Sequence, residues 1–321
     1  MIHPVAKNAG VKIMNNKNYC PDPGIMGLNS DQVIKDVSNL VINVIGYQSS
    51  PVCHDKGIVC EGSYLHFQGG GKYTRALLTA EVGHLLGLGY NQMLSLGAAV
   101  ELLHNASLVH DDIHDKADTR RGRPSLRSSF GDDIAILAGD LMISAAYGVI
   151  AGSGLTHTQG RIIQFMHQTV ADVIHGQAED LQSRSRKVSL NEYESIVTAK
   201  SGGLIRLAMQ LPFIAAEFDI STVSLAAEAA NQLAVSYQIA DDLMDIDEDA
   251  GKSQSTKNLN IYHLLRVQMG PEEAYHSARQ MGLEHLAQSR LLCMSLPLRS
   301  GEPLIRHCLE LEACLDTRLA A

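Results

Sequence analysis

The residues with the clearest chemical potential form two acidic clusters. The first, His110-Asp111-Asp112-Ile113-His114-Asp115, lies in the segment ELLHNASLVHDDIHDKADTRRGRPS. Asp111 and Asp115 are four apart and share one helix face, which Asp118 continues. Unpartnered carboxylates at that spacing repel each other by a few tenths of a kcal/mol. A hard cation would offset this, and Mg²⁺ typically binds through one or two carboxylates plus substrate phosphates. Taken alone, the cluster reads equally well as a solvated acidic helix end. The second cluster, Gln238-Ile239-Ala240-Asp241-Asp242-Leu243-Met244-Asp245, repeats the spacing at Asp241 and Asp245. It follows an apolar stripe of Ala226, Ala230, Leu233 and Tyr237, where a solvated acidic patch is less natural. The duplication of D-D-x-x-D carries the signal. On two facing helices, Asp111, Asp112, Asp115, Asp241, Asp242 and Asp245 would form a two-sided cage for Mg²⁺. A calcium loop beginning at Asp245, Asp247 and Asp249 fails, because Ala250 stands at its sixth position and Thr256 at its twelfth.

Bases accompany the acids. Lys72 and Arg75 follow three glycines, Arg120 and Arg121 follow the first cluster, and Lys200 sits in TAKSGG. The stretch GGGKYT is not a P-loop, since His66 replaces its first glycine and Tyr73 its final Ser/Thr. In isolation Lys72 and Arg75 read as a solvated helix start. Together with two acidic clusters, separate bases point to two polyphosphate groups bound at once: arginine suits bidentate phosphate contacts and lysine a point charge. His104 and Gln177 are ambiguous, since a lone polar residue on a helix is more often structural. No G-x-S-x-G or other nucleophile arrangement stands out.

Long helices must position these groups. Apolar periodicity predicts helices from Asp31 onward (capped by Ser30 or Asp31), over Ala76–Leu88 and Gln92–Asp115, and near 132–152, 158–182, 190–216, 222–248, 271–295 and 303–318. Gly46 to Gly62 reads as a connection. Alternating strand patterns and hairpin signals are nearly absent. Good helix formers dominate, aromatic content is only 5% and there is no Trp, so the expected fold is all-α: a single-domain bundle of antiparallel helices around a central apolar cavity. Residues 1–60 are expected to form an N-terminal arm with the first helix, and 61–321 the catalytic domain. With 321 residues, 45% hydrophobic, disorder and small disulfide scaffolds are excluded. A net charge of -9 argues against nucleic acid and anionic membranes as partners. The six cysteines form no C-x-x-C pair and read as reduced thiols of a cytoplasmic protein. No signal peptide is evident after Lys7, Lys12 and Lys17, and no apolar run of membrane-spanning length is expected.

These motifs, in this order, resemble the trans-isoprenyl diphosphate synthase (polyprenyl synthetase) family across about residues 60–260. GGGKYTRA is similar to the family's Gly-Gly-Lys-Arg-x-Arg-Pro element, and LLHNASLVHDDIHD with RRGRP to its first aspartate-rich motif. HGQAEDL, TAKSGG and YQIADDLMD match three further elements. The resemblance implies the isoprenoid synthase fold, a homodimer, and Mg²⁺-dependent head-to-tail condensation of isopentenyl diphosphate with an allylic diphosphate. It implies that Asp111, Asp115 and Asp241 bind Mg²⁺, supported by Asp112, Asp242 and Asp245. Arg120, Lys200 and Lys252 would hold the allylic diphosphate with Gln238 nearby. Lys72, Arg75, His104 and Arg121 would hold isopentenyl diphosphate, and Gln177 would line the site near the reacting carbons. Tyr73 and Ala76 depart from the family's Arg and Pro, and the loop after Asp245 is shorter than usual and lacks a Gly-x-Asp element. Ala106 and Ser107, small residues just before Asp111, resemble the version found in geranylgeranyl and longer-chain synthases. The alternatives are a terpene cyclase-like enzyme acting on one prenyl diphosphate and a subunit of a heteromeric synthase.

Overall fold

The computed structural model describes residues 28–46, 57–246 and 259–317, and in them the all-α expectation holds. In chain order the helices are α1 (Ser30–Val44), α2 (Ile58–Gln68), α3 (Thr74–Leu85), α4 (Tyr90–His114), α5 (Leu126–Phe130), α6 (Asp132–Ala151), α7 (Gln159–Ser183), α8 (Leu190–Lys200), α9 (Gly203–Ala215), α10 (Ile220–Met244), α11 (Ile261–Leu265), α12 (Pro271–Met294) and α13 (Glu302–Thr317). The N-terminal arm, residues 1–27, lies outside the described residues.

Two long helices organise the bundle. α4 packs against α3, α6, α9 and α1, and α10 packs against α9 and α12. Buried small residues explain how closely they meet: Gly97, Ala98 and Ala99 on α4, and Ala226, Ala229, Ala230 and Ala234 on α10. Larger side chains such as Leu102, Met142, Met209 and Phe213 fill the space between the helices. Capping follows local chemistry. Asn29, rather than Ser30 or Asp31, caps α1 by accepting from the Gln32 N–H at 3.1 Å. Ser189 and Glu192 form a reciprocal capping box on α8.

Several boundaries differ from expectation for identifiable reasons. The pattern at 190–216 is two helices, α8 and α9, broken after Lys200 at Ser201-Gly202. The region read as a connection contains α2, whose apolar residues show little helical periodicity. α6 is 20 residues long, with mean hydropathy 1.9 and 44% of the window buried; it meets the length and composition of a membrane span, contrary to the sequence reading. It packs on α4, α2 and α5 through Ala135, Ala138, Met142, Ala146 and Ile150. A short hairpin also went unanticipated: β1 (Thr119–Arg120) pairs antiparallel with β2 (Arg123–Pro124) across Arg121-Gly122. Both turn residues have positive φ, 53° and 74°, which Gly122 accommodates without strain.

One close approach fixes the catalytic-side geometry. A Cβ on Gly176 of α7 would lie 2.6 Å from the backbone nitrogen of Lys200 and 3.0 Å from the carbonyl carbon of Ala199. Only glycine lets α7 and α8 meet there. Gly176→Ala is expected to cost about 1–3 kcal/mol through overpacking against backbone that cannot yield. Urea denaturation of the variant checks this, and an unchanged midpoint would contradict it.

Candidate active site

The site sits where four helix ends converge. α4 ends on the first acidic cluster, with Asp115 at its C-cap, and α10 ends on the second, with Asp245 at its C-cap. α8 ends at Lys200, and α3 begins next to Lys72 and Arg75. Asp111, Asp241, Lys200, Gln238, Arg75 and His104 all line a single cavity of about 410 Å³. Two remote stretches of sequence therefore face one space.

Within each cluster the helix divides the labour. Neighbouring residues on a helix point in different directions, and here Asp111 lines the cavity while Asp112 turns toward Arg120. Asp111 faces it; burial raises its carboxyl above the ordinary range, the Asp115 charge adds to this, and Lys200 opposes it. Asp112 is buried, and its Oδ1 accepts from Arg120 Nε at 3.0 Å and Nη2 at 2.5 Å. The second cluster repeats the arrangement. Asp241 faces the cavity, and burial plus the Asp245 charge push its pKa up to about 6. Asp242 is buried and accepts from Tyr193 Oη, Gln238 Nε2 and the Ile261 backbone N–H, each at 2.8 Å. Asp112 and Asp242, expected among the metal ligands, thus brace the scaffold through these bonds, while Asp112 Oδ2 is buried with no hydrogen-bond partner among the described residues. Arg120, expected on a diphosphate, bonds Asp112 and keeps a one-third exposed side chain.

The residues fit a cation bound together with phosphate. Among the described residues no three His, Cys, Asp or Glu side chains converge to hold a metal unaided. Asp111 and Asp241 are desolvated carboxylates, each beside a second acid, so a cation would relieve both burial and repulsion, with phosphate oxygens completing its shell.

Two further cavities adjoin the first. One, about 460 Å³, is lined by Lys72, Tyr73, Arg75, Glu101, His104 and Arg121. Arg75 Nη1 lies 3.2 Å from His104 Nε2. Burial, followed by the charges of Arg75 and Arg121, holds His104 well below its ordinary pKa, so its neutral ring accepts from the guanidinium. Arg121 projects from the hairpin turn and donates to the Gly70 carbonyl. Tyr73, which departs from the family pattern, has φ 48° and donates from Oη to Ser38 Oγ of α1 at 3.2 Å. The other cavity, about 450 Å³, is mainly apolar, with Ala106, Ser107, Val170 and Ile174 in its walls and Gln177 beside them. Asp111 and Lys200 line both this tunnel and the central cavity, while Lys72, Arg75 and His104 are common to the central cavity and the basic one. The three spaces are neighbours that share walls.

Other predicted residues are placed as follows. Lys200 Nζ donates to Asp180 Oδ2 at 2.6 Å, and Asp115 Oδ1 accepts from Arg184 Nη2 at 2.8 Å. Gln238 Oε1 accepts from Ser201 Oγ at 3.0 Å. Gln177 Nε2 lies 3.4 Å from His114 Nδ1. Lys252 lies outside the described residues. Sequence reasoning missed Asp180 and Arg184, which follow HGQ four residues apart, the first on α7 and the second at its C-cap. It also missed Glu101, a buried acid in the basic cavity, and His307 of α13 in the central one. Asp180 stood within HGQAEDL and Glu101 at the start of the segment that carries the first acidic cluster.

The polyprenyl synthetase family model matches residues 59–259. This chain belongs to that family. A short chain isoprenyl diphosphate synthase of Methanocaldococcus jannaschii is 30% identical over 207 residues, 62% of this chain and 63% of that protein. A farnesyl diphosphate synthase of Escherichia coli is 30% identical over 240 residues, 69% and 80% of the respective chains. The first of these matches thus spans a little under two-thirds of the relative's length. A geranyltranstransferase crystal structure from Thermotoga maritima superposes with TM-score 0.72 at 26% identity, covering 88% of this chain and 98% of that one.

A partly buried histidine of α2, His66, has a measurable signature in stability. Burial drives the His66 pKa down from 6.5 to about 4, helped by Arg121 and opposed by its 3.1 Å contact with Asn105 Oδ1. A depressed histidine contributes stability above pH 6.5 that is lost as pH falls toward 4. Between pH 7 and 5 the protein should lose about 1–2 kcal/mol relative to His66→Gln. Parallel pH dependences of the two proteins would contradict this.

Proposed function

We propose that the chain is a Mg²⁺-dependent trans-prenyltransferase that condenses isopentenyl diphosphate head-to-tail with an allylic diphosphate. The observation that carries the reading is the adjacency of three spaces that share lining residues: a basic cavity, an acidic chamber containing Asp111 and Asp241, and an apolar cavity. Each matches one part of the chemistry, namely the second substrate's diphosphate, the leaving diphosphate and the growing hydrocarbon.

Mg²⁺, held through Asp111, Asp115 and Asp241, would neutralise the allylic diphosphate and make it a leaving group. Lys200, at the junction of chamber and tunnel, stabilises the negative charge that develops on the departing oxygen. Gln238 and Asp242 keep the end of α10 rigid. Lys72, Arg75 and Arg121 hold the isopentenyl diphosphate, with His104 fixing the Arg75 guanidinium, so that the double bond lies near the allylic carbon. The carbon–oxygen bond breaks, the allylic cation is attacked by that double bond, and a proton then leaves the new chain, with the released diphosphate as acceptor. Leu103, Val170 and Val173 exclude water that would quench the cation. Gln177, with its buried Oε1 unpaired among the described residues, offers an oxygen dipole to the positive carbon.

Mass spectrometry of products from isopentenyl diphosphate, an allylic primer and Mg²⁺ tests the reading. Elongated products are expected. Turnover of the primer without isopentenyl incorporation would instead indicate a cyclase, and turnover only with an added partner a heteromeric subunit. Asp111→Asn and Asp241→Asn should each lower kcat by roughly 10²-fold or more. The small Ala106 and Ser107 in the tunnel support a product of geranylgeranyl length or longer. Ala106→Tyr should shorten it, and an unchanged product distribution would refute the steric argument. A homodimeric state and a cytoplasmic location belong to the same proposal; sedimentation analysis checks the first.

A further inference from the structure

The ion pairs around the first acidic cluster are unequal. Asp112 is buried and receives two N–H groups from Arg120. Asp115 is 39% exposed and receives a single bond, from Arg184 Nη2 at 2.8 Å. The Arg184 side chain is itself only 18% exposed, and its Nε is buried with no partner among the described residues. A guanidinium can engage a carboxylate through two parallel bonds, and this one does not. Arg184 lies one helical turn beyond Asp180, which accepts from Lys200 at 2.6 Å. Asp115, Asp180 and Lys200 line one small cavity of about 90 Å³ that also contains Gln238 and Ser201. Two acids and one base therefore line a pocket that shares Lys200, Ser201 and Gln238 with the chamber, and Arg184 meets it through its bond to Asp115.

We propose that Arg184 is a positioning residue that competes with the divalent cation for Asp115 and makes cation binding depend on diphosphate. This rests on the prenyltransferase reading above. With Asp115 bonded to a guanidinium, a cation must enter against a positive charge and share an oxygen already occupied. A diphosphate supplies a stronger anionic partner for Arg184, through the same N–H donors that now reach Asp115. The carboxylate is then free for the metal. The single bond and the exposure of Asp115 make this pair exchangeable, whereas buried Asp112 holds Arg120 through two bonds to one oxygen.

Mn²⁺ binding to the intact protein, followed by electron paramagnetic resonance with and without a non-hydrolysable diphosphonate, tests the proposal. The solution Mn²⁺–diphosphonate complex is measured separately and subtracted. The wild type should bind Mn²⁺ at least tenfold more tightly when diphosphonate is present. Arg184→Met should bind Mn²⁺ alone at least threefold more tightly than wild type and lose most of the diphosphonate enhancement. Arg184→Lys, which keeps the charge, should stay within twofold of wild type in both conditions. In steady state, Arg184→Met should raise KM for the allylic diphosphate more than it lowers kcat. Circular dichroism melting confirms that each variant is folded. An Arg184→Met protein with wild-type affinity and enhancement overturns the role of Arg184. Failure of the wild type to bind Mn²⁺ even with diphosphonate overturns the underlying prenyltransferase reading instead.

Discussion

The structure depends on holding like charges close together. Asp111 and Asp241 come from helices far apart in sequence yet open into one chamber, each with another carboxylate one turn away. Burial raises both above the ordinary carboxylate range. Such an arrangement disfavours folding locally and persists because the packing of α4 and α10 over-determines it. The small residues that let those helices approach their neighbours, and the buried braces Asp112 and Asp242, supply that constraint. On the proposed function, that local cost in stability would become affinity for a cation carried by a polyphosphate.

The braces also explain the doubling of aspartates. In D-D-x-x-D the first and last residues share a helix face, and the second must point elsewhere. In the first cluster the second aspartate binds Arg120 and anchors the short hairpin, whose turn carries Arg121 toward the basic cavity. In the second it binds Tyr193 of α8 and the start of α11, tying two helices to the end of α10. A single motif thus presents chemistry on one side and fastens the scaffold on the other.

Much of this was legible in the residues. Long periodic segments set the helices, and the duplicated acids identified the chamber because carboxylates on an apolar helix require a partner. What the sequence could not show were relations between elements. Whether Asp112 faced a metal or Arg120 depended on the rotation of α4 within the bundle. The hairpin is too short for strand alternation to register, and α2 lacks a marked periodic stripe. Arg184 stands in no motif, and its importance comes only from lying opposite Asp115. Tyr73 was visible as a departure, but its bond to Ser38 needed the packing of α1 on α3.

The central claim is that Asp111 and Asp241 act on one bound diphosphate rather than at two separate sites. Calorimetric binding of an unreactive allylic thiodiphosphate in Mg²⁺, measured for wild type, Asp111→Asn, Asp241→Asn and the double variant, addresses it directly. Carboxylates serving one ligand predict strong coupling, with the double variant losing much less affinity than the product of the two single losses. Independent, multiplicative losses would contradict the account.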